Sequence, residues 1–198
     1  MKEKNHVINH SEIILKNIKL AYDLDCIEGK EIHIPLNKTT VIEGASGRGK
    51  TSILNVLLGI TSIASGMIQG NNLTYSAVFQ EDRLLEELTG VKNIKIVEPC
   101  IKNEDIEREL EKLLPVSYIR KPINTYSRGM KRRVAIVRAM LKESDIVVMD
   151  EPFAGLDEEL KKRTSKYITE VLNGRTLIIA VHEKKEAEYL RIDNVISL

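Results

Sequence analysis

Apolar residues along this chain keep two different rhythms. "TTVIEG", 39–44, is a short β-branched run ending in glycine, and "KTSILNVLLGI" after it sets Ile53, Val56, Leu57 and Ile60 at helical spacing. The pattern predicts strand, loop, helix. "YSAVFQ", 75–80, reads as a buried strand. The charge-rich stretch up to Pro115, with Ile106, Leu110, Leu113 and Leu114 in helical register, predicts a helical insert, a small lobe over about 81–125 within a single domain spanning 1–198. From Ser127 a helix is expected to about Leu141, then a strand over "DIVVMD", a helix over "DEELKKRTSKYITEVL" and a strand over "RTLIIAVH". Strands that are apolar throughout and separated by helices imply an α/β fold, a parallel sheet with helices on both faces.

Composition narrows the function. Lys and Arg number 30 against 29 Asp and Glu, a net charge of +1, so a grip on nucleic-acid phosphates is not expected and no nucleic-acid partner is predicted. Cys26 and Cys100 lie far apart without metal-ligand spacing, which argues against a disulfide framework or a zinc site and suits a reducing cytoplasm. His6 and His10 could share a helix face, but no third ligand is near, and solvated histidines are expected. The start of the chain lacks the apolar run of a signal peptide, and no segment approaches the roughly 18 apolar residues that span a bilayer. A soluble chain is predicted.

The chemistry begins at "GASGRGKT", Gly44–Thr51, which fits G-x-x-x-x-G-K-[ST] and lies between a predicted strand and a predicted helix. Gly44, Gly47 and Gly49 let the backbone curl so that successive N–H groups converge on phosphate oxygens. Ala45, Ser46 and Arg48 contribute backbone to the cradle, Lys50 meets the β- and γ-phosphates, Thr51 offers a hydroxyl to magnesium, and Ser52 follows. In "DIVVMDEP" a strand ends on Asp150, placing a carboxylate beside the magnesium at the edge where parallel sheets bind ligands, and Glu151 comes next, in reach of an attacking water. "TYSRGMKRR", 125–133, opens a helix with a serine and a burst of positive charge. It reads either as an anion site whose ligand comes from elsewhere, or as an ordinary capped helix with a solvated basic face.

Taken in order, these motifs resemble the ATP-binding cassette (ABC) family over nearly the whole chain. "GASGRGKT" is similar to its phosphate loop, Gln80 in "VFQEDRLL" to its lone glutamine, "YSRGM" to its signature and "DIVVMDEP" to its magnesium strand with catalytic glutamate. Asp157 in "AGLD" resembles the loop that crosses the dimer, His182 in "IIAVHEKKEAEYL" the switch histidine, and Tyr22 the aromatic under adenine. The resemblance implies a P-loop NTPase core that takes ATP and Mg²⁺. It assigns catalysis to Glu151, His182, Lys50 and Gln80, and the metal to Thr51, Gln80 and Asp150.

It also implies that a second copy, or a homologous cassette, packs head to tail, so that Ser127 and Gly129 cap the ATP on the partner's phosphate loop. Integral membrane permease subunits would be gripped by the lobe at 81–120, placing the chain on the cytoplasmic face of the membrane; an importer adds an extracytoplasmic substrate-binding protein. "VFQEDRLL", "MDEPFAGLDEEL" and "VHEKKEAEYL" look most like nitrate/sulfonate/taurine-type importers, whereas strings such as "YSRGMKRRVAIVRAM" also occur in exporters of drugs, peptides or lipids. A cassette acting as a switch in DNA repair or translation is the remaining alternative, and a plain nucleotide kinase leaves Ser127, Asp157 and His182 unused. Two departures stand out. The signature reads Tyr126, Ser127, Arg128, Gly129, Met130 where Leu-Ser-Gly-Gly-Gln is common, and Arg48 occupies a loop position where a small residue is frequent and is expected to point outward.

Overall fold

A computed structural model describes residues 11–20, 29–70 and 72–198. The elements run β1 (Glu12–Leu20), β2 (Glu31–Pro35), β3 (Thr39–Glu43), α1 (Lys50–Leu57), β4 (Ile63–Gln69) and β5 (Tyr75–Val78). They continue with α2 (Gly90–Lys95), α3 (Asn103–Glu111), α4 (Arg128–Leu141), β6 (Ile146–Asp150), α5 (Glu158–Leu172), β7 (Thr176–Val181) and β8 (Asn194–Ser197). Tyr22, Cys26, His6 and His10 lie outside the described residues.

Five strands form a parallel sheet in the order β5-β6-β7-β3-β8. Side chains alternate across it, as the pleat requires. Ile146 and Val148 of β6 join Ile42, Ile53 and Leu57 on one face, while Val147 and Met149 join Val134, Val137 and Ile168 on the other. Each such side chain taken fully out of water contributes about 1.5–3 kcal/mol, so strands covered on both faces are mostly apolar, with polar residues such as Thr39, Asp150 and Thr176 at their ends.

On the α1 side the cover is completed by a three-stranded antiparallel sheet, β2-β1-β4, which the apolar pattern does not predict. Ile13 and Leu15 of β1 are buried, and after one extra residue so are Ile18 and Leu20. The phase slips at Asn17, which adopts φ +50 where the β1–β4 register shifts. Asparagine tolerates that left-handed conformation, and the bulge returns the apolar side chains to the core.

Other boundaries differ from expectation. A left-handed turn at Gly59 ends α1, so Ile60 does not continue its buried stripe and is 52% exposed. The helical insert consists of two short α-helices, α2 and α3, and two 3-10 turns at Val116–Tyr118 and Ile123–Thr125; Leu113 and Leu114 are buried beyond the end of α3 at Glu111. β5 leaves its ladder at Val78, so Phe79 and Gln80 are not strand residues. Ile94, Ile106, Leu110 and Ile123 of the insert belong to the same apolar cluster as Val134 and Met149. Among the described residues, no helix is long and apolar enough to cross a membrane.

Candidate active site

Parallel pairing aligns the ends of β3, β6 and β7, with Glu43 opposite Val181 and Asp150 opposite Ala180. The segments leaving these three strands therefore meet at one edge of the sheet. Between β3 and α1, Gly49 occupies the N-cap at φ 87 with no side chain to accept from the first helical N–H groups, which leaves them facing the loop's concavity. Lys50 is buried and folds back into that concavity, donating to Gly44 O at 2.7 Å and Ala45 O at 3.1 Å. Ala45, Ser46, Gly47 and Arg48 are exposed, and the Arg48 N–H donates to Ala45 O at 3.3 Å. Thr51 Oγ1 donates to Asp150 Oδ2 at 2.7 Å.

Asp150 is 4% exposed and its Oδ1 has no partner among the described residues. Burial holds its carboxyl above the usual carboxylate range, against the opposing Thr51 hydrogen bond and the Lys50 charge. Beside it lies a cavity of about 200 Å³ bounded by Thr51, Asn55, Gln80 and Asp150.

Glu151 adopts φ +48, a left-handed conformation that is costly for this residue type. Its N–H donates to Ala180 O at 2.9 Å and its carbonyl accepts from Ala154 N–H at 3.1 Å, so the turn is held at both ends. The result aims its carboxylate at His182, with Oε1 3.0 Å from Nε2. His182 O in turn accepts from Gly44 N–H at 3.3 Å, tying the end of β7 to the phosphate loop.

The signature segment stands apart. Ser127 caps α4, its Oγ accepting from Met130 N–H at 3.3 Å, and Asp157 caps α5 by accepting from Leu160 N–H at 2.9 Å. Gly129 packs against the turn before α5: a Cβ there would lie 3.3 Å from Leu156 Cδ2. Among the described residues, no hydrogen bond or ion pair links Ser127, Gly129 or Asp157 to 44–52. Lys50, Thr51, Asp150, Glu151, His182 and Gln80 are thus gathered at one edge, and the signature residues are not joined to them.

The model of the ABC transporter family matches residues 27–154, from ahead of the phosphate loop through the signature and Glu151. The chain belongs to the ABC transporter family. It is 28% identical to the aliphatic sulfonates import ATP-binding protein SsuB of Bacillus subtilis (strain 168), over 83% of this chain and 69% of that one. It is 30% identical to the thiamine import ATP-binding protein ThiQ of Histophilus somni (strain 129Pt), over 92% of this chain and 89% of that one. The fold matches the dimeric structure of MJ0796, a bacterial ABC transporter cassette, with TM-score 0.82 at 20% identity over 94% of each chain.

As an ABC ATPase the protein takes ATP with Mg²⁺ and hydrolyses it. The site fits that metal: a buried, unpartnered carboxylate oxygen beside a threonine hydroxyl is a set of hard oxygen donors. One group of residues was missed in the sequence. Arg132 and Arg133 are buried, at 3% and 6% exposure, so the basic run of α4 is not wholly a solvated face. Arg132 and Arg138 reach the carbonyls of Phe79, Gln80, Asp82 and Arg83. Helical spacing alone carries part of the signal, since Arg132 falls among the apolar residues that α4 buries.

Proposed function

We propose that this cassette is the ATP-hydrolysing subunit of a membrane importer and works as a head-to-tail pair with a second copy or a homologous cassette. The observation that carries the reading is a division within the chain: a phosphate loop, acid pair and histidine gathered at one sheet edge, and a capped signature helix with no link to them. Each nucleotide then lies between the phosphate loop of one chain and Ser127 and Gly129 of the other. Backbone N–H groups of Gly44–Gly49 and the Lys50 ammonium hold the β- and γ-phosphates, with Ser52 adjoining; Tyr22, outside the described residues, is the candidate aromatic for the adenine by resemblance alone. Thr51, Asp150 and Gln80 hold the magnesium, which neutralises charge on the phosphates. Glu151 orients or deprotonates the attacking water, and His182, whose Nε2 lies 3.0 Å from Glu151 Oε1, meets the γ-phosphate and that water. Asp157 sits in the turn that would cross to the partner chain.

The chain reads as a single domain with a helical lobe over about 81–125. An apolar groove of about 480 Å³, lined by Leu58, Ile60, Phe79, Val97 and Ala139, opens beside that lobe and suits a permease segment. Ile60 and Ile96 expose more than half their surface nearby, which fits a face that another protein covers. The chain is accordingly placed on the cytoplasmic face of the membrane, and the import assignment follows the sulfonate and thiamine import relatives. An extracytoplasmic substrate-binding protein completes the proposed assembly.

The experiment is purification of the tagged chain from native membranes. A multi-spanning membrane protein is expected to stay with it in mild detergent and to be lost when Ile60→Glu is introduced. Uptake of a solute into vesicles carrying the complex, driven by ATP on the cytoplasmic side, would establish import. Export in the same vesicles would reverse the assignment, and recovery with soluble proteins alone would remove the transport reading.

A further inference from the structure

We infer that Arg132 is a positioning residue for Gln80, a role that rests on the proposed placing of Gln80 at the magnesium and γ-phosphate. β5 leaves its ladder at Val78, so the sheet does not engage the carbonyls of Phe79 and Gln80. Arg132 takes them instead. Its Nη1 donates to Phe79 O and its Nη2 to Gln80 O, each at 2.5 Å, while its Nε stands 3.2 Å from Asp82 Oδ1.

Those two carbonyls belong to the two planar peptide units on either side of the Gln80 Cα. A guanidinium is itself a rigid planar fork, so gripping both units fixes them relative to one another, and with them φ and ψ of Gln80. The side chain of Gln80 is exposed and, among the described residues, makes no hydrogen bond of its own. The backbone that Arg132 holds therefore fixes where the Gln80 Cα–Cβ bond departs, at the wall of the cavity that Gln80 lines together with Thr51 and Asp150.

Arg138, farther along α4, donates to Asp82 O at 2.9 Å and Arg83 O at 2.8 Å. It secures the end of the same loop, where Arg83, at φ +46, stacks over Phe79 with its guanidinium carbon 3.7 Å from the ring centre. These bonds lie beyond Gln80 and do not touch the peptide units beside it. Arg132 also shares α4 with the cap residue Ser127, so the grip carries the glutamine and the signature cap on one helix.

A lysine at 132 keeps the charge and loses the fork. In ATPase assays of the full chain at high concentration, Arg132→Lys is expected to lower kcat about tenfold while ATP Kd, titrated at equilibrium, changes by less than about threefold. Gln80→Ala should lower kcat by a similar factor. The decisive readout is the double variant: with no amide left to position, it should be within about twofold of Gln80→Ala alone. Arg138→Lys combined with Gln80→Ala should instead multiply the two losses.

If Arg132→Lys multiplies the loss of Gln80→Ala in full, the arginine acts independently of Gln80 and the inference is overturned. A Gln80→Ala chain at the natural rate would overturn the placing of Gln80 and this role with it. Should Arg132→Lys lack a cooperative melting transition, Asp82→Asn, which loosens the same guanidinium without removing it, enters the same cycle under the same criteria.

Discussion

Glu151→Gln is expected to bind ATP as the natural chain does and to hydrolyse it about 10²–10⁴-fold more slowly. Glutamine has the same shape and tolerates φ +48 no worse, and its amide oxygen can occupy the position of Oε1, 3.0 Å from His182 Nε2. The change removes only the basic carboxylate that handles water. In the proposed site the phosphate contacts run through Lys50 and the loop amides, so equilibrium titration should return an unchanged ATP Kd beside the fallen rate. Turnover near the natural rate would take Glu151 out of the chemistry and leave its strained backbone without a purpose.

Two inactive chains are expected to regain activity when mixed. Lys50→Ala removes the ammonium that the phosphate loop holds at its centre, 2.7 Å from Gly44 O, and should abolish productive binding of ATP to that chain's own loop. Ser127→Arg replaces the cap of α4 and, in the proposed pair, would fill the approach to the partner's nucleotide. In a mixed pair one composite site carries both lesions and the other carries neither. Part of the natural ATPase rate should therefore return, provided ATP at one site brings the chains together. A mixture as inactive as its components, at protein concentrations where the natural chain is active, would count against sites shared between chains.

Much of this was legible in the sequence, and the physical reasons are local. The shape of the phosphate loop is readable because its glycines and lysine stand at a fixed spacing between a strand and a helix, and β6 and β7 because strands covered on both faces carry continuous apolar runs. Asp150 and Glu151 are readable from the end of such a strand. The antiparallel sheet was hidden: the bulge at Asn17 breaks the alternation of β1, β2 has only five residues, and β4 leaves most of its side chains exposed. Ile60 continues the apolar spacing of α1 on paper, yet Gly59 turns the chain first. The burial of Arg132 is only partly readable, from its helical spacing among apolar residues, because two of its partners are backbone carbonyls, which every residue carries, and the third, Asp82, is 50 residues away. The approach of His182 to Glu151 likewise depends on β6 and β7 being neighbours, a fact of topology rather than spacing.

The central claim is that each ATP is enclosed by two chains, and light scattering on Glu151→Gln tests it most directly. That variant should hold ATP without consuming it, so the closed pair accumulates. Its mass should double when ATP and Mg²⁺ are added and return to that of one chain with ADP. A Glu151→Gln chain that binds ATP yet keeps the mass of one chain at every concentration, and with its membrane partner present, would contradict the claim.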